Sequence, residues 1–486
     1  MRPSVLLRLA LAGTRTDRLR VVLTVLTAAL AATVLLVAAT VLAIDAAQPQ
    51  YQVLLLNHLD LRQMTGAILA VVCMPVLALA AQAGRIGAPG RARRLAALRL
   101  AGASPRQVTT ITAAETGVAS ALGGVIGLAV YLASRVALHR QDNDRLWLPT
   151  DVLPSPGVLA LIVLGLPVAA ALVAAVLLRR VHESPLDVAR AVEPARPKPW
   201  PLVLIVAGLA AYVCVGVSFG GSWPEPAPLF AGGIAAAAGL VFSMAWLSDR
   251  GGRLLHRLGQ GPAALLAARR LQADPWTGSR TVGVLVVCAW VAGAAGALRA
   301  FAQAKLAAEG EPQSWVHEFT GNVIIVPNAS DDFFNSTVKL VDVAVGGAAL
   351  IAAAGVLLGL LEAVAARRRV FASLTATGVS RGVLVRAVLW QALVPVAVTL
   401  PGAVVLGAAM AWLALPDITE GKVTMCIPAD CSDGMVSEPV GSIAWFADWT
   451  EVAAVSGAGL IVVALLAVVA GATLRARTDL EALRVG

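Results

Sequence analysis

Few residues in this 486-residue chain have the type and spacing to do chemistry. Glu115, in ITAAETGVAS, and Gln391, in VLWQALV, are polar groups set inside apolar runs, and they fall into register when Arg93 is aligned on Arg369. A polar group at one depth in two runs fits either an intramembrane interhelical contact or a functional relay. Cys426 and Cys431, in TMCIPADCSD, have the spacing to close a small disulfide ring around Pro428 in an oxidising environment, or they stand as two free thiols. With no adjacent His or further Cys the pair offers too few donors for zinc. The five histidines (His58, His139, His182, His256, His317) are scattered over polar segments, where solvation is the plain expectation. No G-x-x-x-x-G-K-[ST], H-E-x-x-H or G-x-S-x-G occurs, so the chain has no recognisable cradle for ATP phosphates and no hydrolytic motif. The expectation is a chain that is not itself an enzyme and carries no catalytic, cofactor-binding or metal site.

The elements that must position these residues are apolar helices. Hydrophobic residues make up 58% of the chain, with a mean hydropathy of +0.80, more apolar surface than a soluble domain buries. Windows near 21–44, 65–84, 108–134, 156–178, 201–219, 228–247, 281–300, 341–365, 387–413 and 450–473 each approach the roughly 20 residues a spanning helix needs. Unbroken runs rather than alternating ten-residue strands exclude a β-barrel, so the fold class is an all-α integral membrane protein of about ten transmembrane helices. The net charge of +9 does not point to nucleic acid, because the arginines sit beside span ends in alternate loops. Counting them places both termini and the segments around 85–107, 179–198, 250–280 and 366–386 on the cytoplasmic side of a plasma membrane. The outward segments include 315–334, where a short β-like run at 323–326 predicts a small strand-bearing cap. Trp445, Phe446 and Trp449 fall where an aromatic belt is expected.

An internal repeat organises the spans. RRLAALRLAGAS (93–104) and RVFASLTATGVS (369–380) match without a gap at Arg93/Arg369, Ala96/Ala372, Leu98/Leu374, Gly102/Gly378 and Ser104/Ser380. Each copy lies between two apolar runs and is followed one span later by a related ending, PLDVAR or DLEALR. Arg on one face and Leu and Ala on the other predict a short interfacial helix; the glycine can take a positive φ at its end, and the serine can cap the next span. Equivalent spans are separated by an even number of crossings, so the repeats are parallel.

Two loops of this kind, each between the second and third spans of a four-span unit, resemble the FtsX-like permease family of ABC transporters, in its ten-span, two-unit form related to bacitracin-resistance permeases. Ala96 and Ala372 stand where such loops usually carry an acid, and Thr375 replaces the arginine that the first copy keeps as Arg99. The resemblance implies that Arg93, Arg94, Leu98, Arg99, Gly102 and Ser104 and, in the second copy, Arg369, Leu374, Gly378 and Ser380 form ATPase-coupling loops. It further implies an ABC ATPase partner, as a dimer that holds the ATP and Mg, besides membrane lipids and an envelope or sensor partner. The corresponding division is an N-terminal segment and first span (1–64), a first unit (65–190, coupling loop 85–107), linking spans (191–250), an amphipathic segment with the seventh span and an outer segment (251–340), and a second unit (341–486, coupling loop 366–386). The expected function is mechanotransmission, in which ATP hydrolysis moves or extracts an amphipathic substrate such as lipid, lipoprotein or antimicrobial peptide. The rivals are a non-transporting scaffold or sensor that regulates an envelope hydrolase or kinase, and an ion-coupled secondary transporter.

Overall fold

Five of the helices open on a proline, whose fixed φ suits the first turn and whose missing N–H would find no partner there. The computed structural model describes residues 15–44, 51, 102, 104–139, 141–142, 145–146, 148–182, 197–218, 226–309, 314–316, 323–325, 329–415, 418–423, 437–443 and 448–472. Its helices are α1 (Arg15–Leu42), α2 (Pro105–Ala137), α3 (Pro156–His182), α4 (Pro201–Ser218), α5 (Pro226–Leu258), α6 (Pro262–Ala273), α7 (Trp276–Glu309), α8 (Ala329–Ala366), α9 (Arg368–Ala376), α10 (Arg381–Ala414) and α11 (Trp449–Ala472). Six of the described helices are long and apolar enough to cross a membrane, and shorter apolar stretches occupy Pro156–Leu172, Pro201–Cys214 and Val345–Leu361. The chain is a helical, multi-pass membrane protein. The window at 65–84 lies outside the described residues.

Helix ends depart from the sequence reading. α5 does not stop near 247 but continues to Leu258, so the boundary drawn at 250 runs through a helix. Its extra turns carry Asp249 and Arg253 paired at 2.5 Å, an i,i+4 bond that supports helix beyond the apolar window. α8 likewise begins at Ala329 rather than 341. Among the described residues between α7 and α8, one ribbon, β3 (Ser314–Val316) antiparallel to β4 (Val323–Ile325), lies at the site of the expected β-like run. Two more ribbons are β1 (Gln141–Asp142) with β2 (Arg145–Leu146), and β5 (Ile418–Val423) with β6 (Ser437–Ile443), the latter bulged between Glu420 and Gly421.

Helix packing repeats along the chain. α2 lies between α1 and α3, and α10 lies between α7 and α11, with α1 touching α3 and α7 touching α11 less closely. Small residues permit the close approach in both cases. A Cβ on Gly123 would stand 2.5 Å from the Val25 carbonyl, and one on Gly407 would collide with the Trp290 carbonyl. The stretch at Gly346 and Gly347 behaves differently, with open space beside both. The linking helices α4 and α5 pack on each other and on α10, and α5 packs also on α7. The main core joins α5, α7, α8, α10 and α11 through Met244, Val286, Trp290, Val356, Leu400 and Val463, all buried.

Candidate coupling corner

Between α8 and α10 the chain makes the short helix and sharp corner expected of the second repeat. α9 ends in a Schellman motif: the Gly378 N–H donates to the Thr375 carbonyl (3.1 Å) and the Val379 N–H to the Leu374 carbonyl (3.0 Å). Gly378 has φ +91, and a Cβ there would touch nothing; the backbone angle alone demands glycine. Leu374 and Val379, the pair that closes such a motif, both pack on buried Val364, Phe371, Leu384 and Val388. Phe371 is 1% exposed, while Val370, Ser373 and Thr377 form the exposed face. The position of Arg369 in α9 is fixed, but its side chain lies outside the described residues.

The first repeat shows the same corner where it is described. Gly102 has φ +90. Ser104 then caps α2 in a full capping box, its Oγ accepting from the Gln107 N–H (3.3 Å) and its own N–H donating to Gln107 Oε1 (2.9 Å). Ser380 occupies the same N-cap position with extended backbone, yet its side chain makes no cap bond; three residues on stands Val383, which cannot reciprocate as Gln107 does. Capping by Ser380 through its hydroxyl is thus corrected. Arg93, Arg94, Leu98 and Arg99 lie outside the described residues, as do Cys426 and Cys431.

Two supports of the corner were not singled out from sequence. Arg270, on α6, lies 4.5 Å from the centroid of the Phe371 ring, and Arg367, the N-cap of α9, pairs with Asp274 at 3.5 Å. α6 and the residue after it thus reach α9 through two side-chain contacts. Burial and then the neighbouring Arg367 guanidinium pull the Arg270 pKa down, and its Nη1 is buried without a hydrogen-bond partner. The ring face substitutes for the missing acceptor. The available signal was the spacing of α6, whose Ala264, Ala267, Ala268 and Leu271 form one buried stripe.

At the opposite end of the same helices Arg299, on α7, donates from Nη2 to Asp342 of α8 (3.1 Å) and from Nη1 to Glu451 of α11 (3.1 Å). The two carboxylates, from different helices, share one cation. In the first group Arg135 of α2 lies over the Tyr131 ring and binds the Val152 (2.5 Å) and Thr150 carbonyls, and Tyr51 bonds Asp151 (2.7 Å). Glu115 is buried on α2 and Gln391 half-buried on α10. Among the described residues no three His, Cys, Asp or Glu side chains gather as a metal site would require.

A family model, FtsX-like permease C-terminal, matches residues 66–186 and 343–478, more than half of the chain. The chain belongs to the FtsX-like permease family. Each match contains one Gly-Ser corner and the two described helices that follow it. No curated protein matches the chain. FtsX-like permeases generally work with ABC ATPases.

Proposed function

We propose that this FtsX-like permease is the membrane subunit of a bacterial ABC system, with ten spans in two parallel units and an ATPase dimer docked on its two corners. The observation that carries this reading is the recurrence of one corner, positive-φ glycine followed by an N-cap serine, at Gly102–Ser104 and Gly378–Ser380. Two like corners suit the two like faces of an ATPase dimer. The repeated helix packing supports the two-unit arrangement. In this reading the chain performs no catalysis; ATP and Mg are held by the partner, both termini lie in the cytoplasm, and closure of the ATPase dimer tilts α2 and α10 through the corners. The substrate class is amphipathic, because the long apolar spans offer no run of charges for a hydrated ion.

Co-purification with the candidate ATPase tests this, comparing wild type with Arg93→Glu/Arg99→Glu and with Arg369→Glu. ATPase capture that weakens in both variants is expected. Equal capture with both loops reversed would return the corners to the role of membrane-edge turns. A second reading, a scaffold that docks an envelope or sensor partner, is favoured by the β5–β6 ribbon at the end opposite the corners. Deleting 424–436 separates the two readings: a scaffold loses its partner, whereas a permease keeps its ATPase.

A further inference from the structure

Beside the corner, three elements meet through aromatic rings at the membrane edge. Trp200, at the start of α4, stacks on Phe242 of α5 (6.4 Å between centroids, 30° between planes). Phe242 meets Trp276, the first residue of α7, edge to face at 6.4 Å. One helical turn further along α5 stands Trp246, and one turn beyond that Arg250, whose guanidinium carbon lies 5.3 Å from the Trp246 ring centroid. Phe242, Trp246 and Arg250 thus form one stripe spanning about 12 Å of helix. This edge lies on the corner side, because α6 follows α5 directly and touches α9.

The charge balance along this edge selects a ligand. Asp249 is paired with Arg253, and Asp274 with Arg367. Arg250 is exposed and pairs with no carboxylate among the described residues; Lys198, two residues before Trp200, is exposed as well. Trp200 and Phe242 are 57% and 43% exposed, although each touches another ring. A plain aromatic belt needs no arginine laid on its ring. A guanidinium stacked on an indole keeps its edge N–H donors free for a planar or tetrahedral anion, and the adjoining rings offer a flat apolar wall to an acyl chain.

We propose that Lys198, Trp200, Phe242, Trp246, Arg250 and Trp276 form a binding site for an anionic phospholipid of the leaflet on the corner side. The phosphate sits on the edge of the Arg250 guanidinium, near Lys198, and the acyl chain lies against Phe242 and Trp200. The occupied site ties α4, α5 and α7 together beside α6, whose Arg270 lies over Phe371 of the coupling helix. Phospholipid identity thereby sets how firmly the corner is held.

The test is the thermal unfolding of the purified full chain in detergent, titrated with phosphatidylglycerol and, separately, with phosphatidylcholine of the same acyl chains. Phosphatidylglycerol is expected to stabilise at lower concentration. Arg250→Gln is expected to raise its half-maximal concentration about fivefold, the loss of one basic contact at an anionic surface, and to leave the phosphatidylcholine curve in place. Lys339→Gln, the same charge loss near the other end of α8, is expected to change neither. Arg250→Lys keeps the charge and loses the fork, so it falls between wild type and Arg250→Gln and serves if the latter fails to fold. Superimposable curves for the two lipids, equal effects of Arg250→Gln and Lys339→Gln, or the same stabilisation by inorganic phosphate alone would each overturn the proposal.

Discussion

Gly378 and Ser104 divide the work of making a corner between backbone and side chain. Because Gly378 has φ +91 and nothing near its missing Cβ, Gly378→Ala introduces strain of about 1–2 kcal/mol without any clash. Gly378→Asn is expected to cost less, since Asn tolerates the left-handed region; thermal unfolding of the two variants ranks them. Ser104→Ala removes an oxygen that accepts a hydrogen bond and should destabilise by about 1 kcal/mol. Ser380→Ala removes no such bond and should leave the melting temperature unchanged. A comparable loss in both serine variants would contradict the difference between the two corners. Asp448, just before α11, accepts from the Thr450 hydroxyl (2.7 Å) and the Thr450 N–H (2.9 Å), which hold its carboxyl below the usual range. A folded pKa below the unfolded one means a contribution present above about pH 4 and lost as pH falls through the folded value. Amide exchange at the start of α11 should accelerate in acid, and Thr450→Val should weaken this dependence.

At the scale of elements, periodicity and breakers made most of the fold readable: each proposed span that lies among the described residues coincides with a helix, the first overrunning its end by two residues. Helix ends were less readable, because hydropathy marks where lipid would stop and not where backbone hydrogen bonding stops; α5 and α8 continue into polar sequence. The corner was readable because glycine and serine act locally, whereas its cover was not. Arg270 over Phe371 and Arg299 between Asp342 and Glu451 join residues distant in sequence, and single-chain spacing carries no signal for such pairs. Phe371→Ala should open a cavity that costs about 3–5 kcal/mol and free α9 from α6, raising amide exchange in both; Phe371→Leu should lose far less. At the other end, Arg299→Ala should loosen α7 from α8 and α11 together. Each of its pairs is half-exposed and stabilises by about 0.2–1 kcal/mol, a small shift in melting temperature. The swap Arg299→Glu/Glu451→Arg restores one pair but sets a like charge against Asp342, so recovery should be partial. Full recovery would mean that Asp342 contributes nothing.

On the scale of the whole molecule, the linking helices break the symmetry that the repeat would otherwise give. α4 and α5 pack on α10, α5 also packs on α7 and α6, and Arg270 and Asp274 reach α9, so an input at the second corner reaches α5, α6, α7 and α10 through continuous contact. The helices that follow the two corners also differ: α10 carries Pro395 and Pro401, each of which removes a helical hydrogen bond, whereas α2 has no proline beyond its first residue. Under the proposed coupling, closure of an ATPase dimer should move the α4–α5 pair with the second unit. Spin labels on the exposed positions Leu254 of α5 and Val398 of α10 should report a distance that keeps its mean on addition of ATPase and a non-hydrolysable ATP analogue. Labels on Leu254 and on Val136 of α2 should report a distance that shifts. If the first pair shifts and the second does not, the linking helices ride with the first unit, and the packing of α5 on α10 is a resting contact that the working cycle breaks.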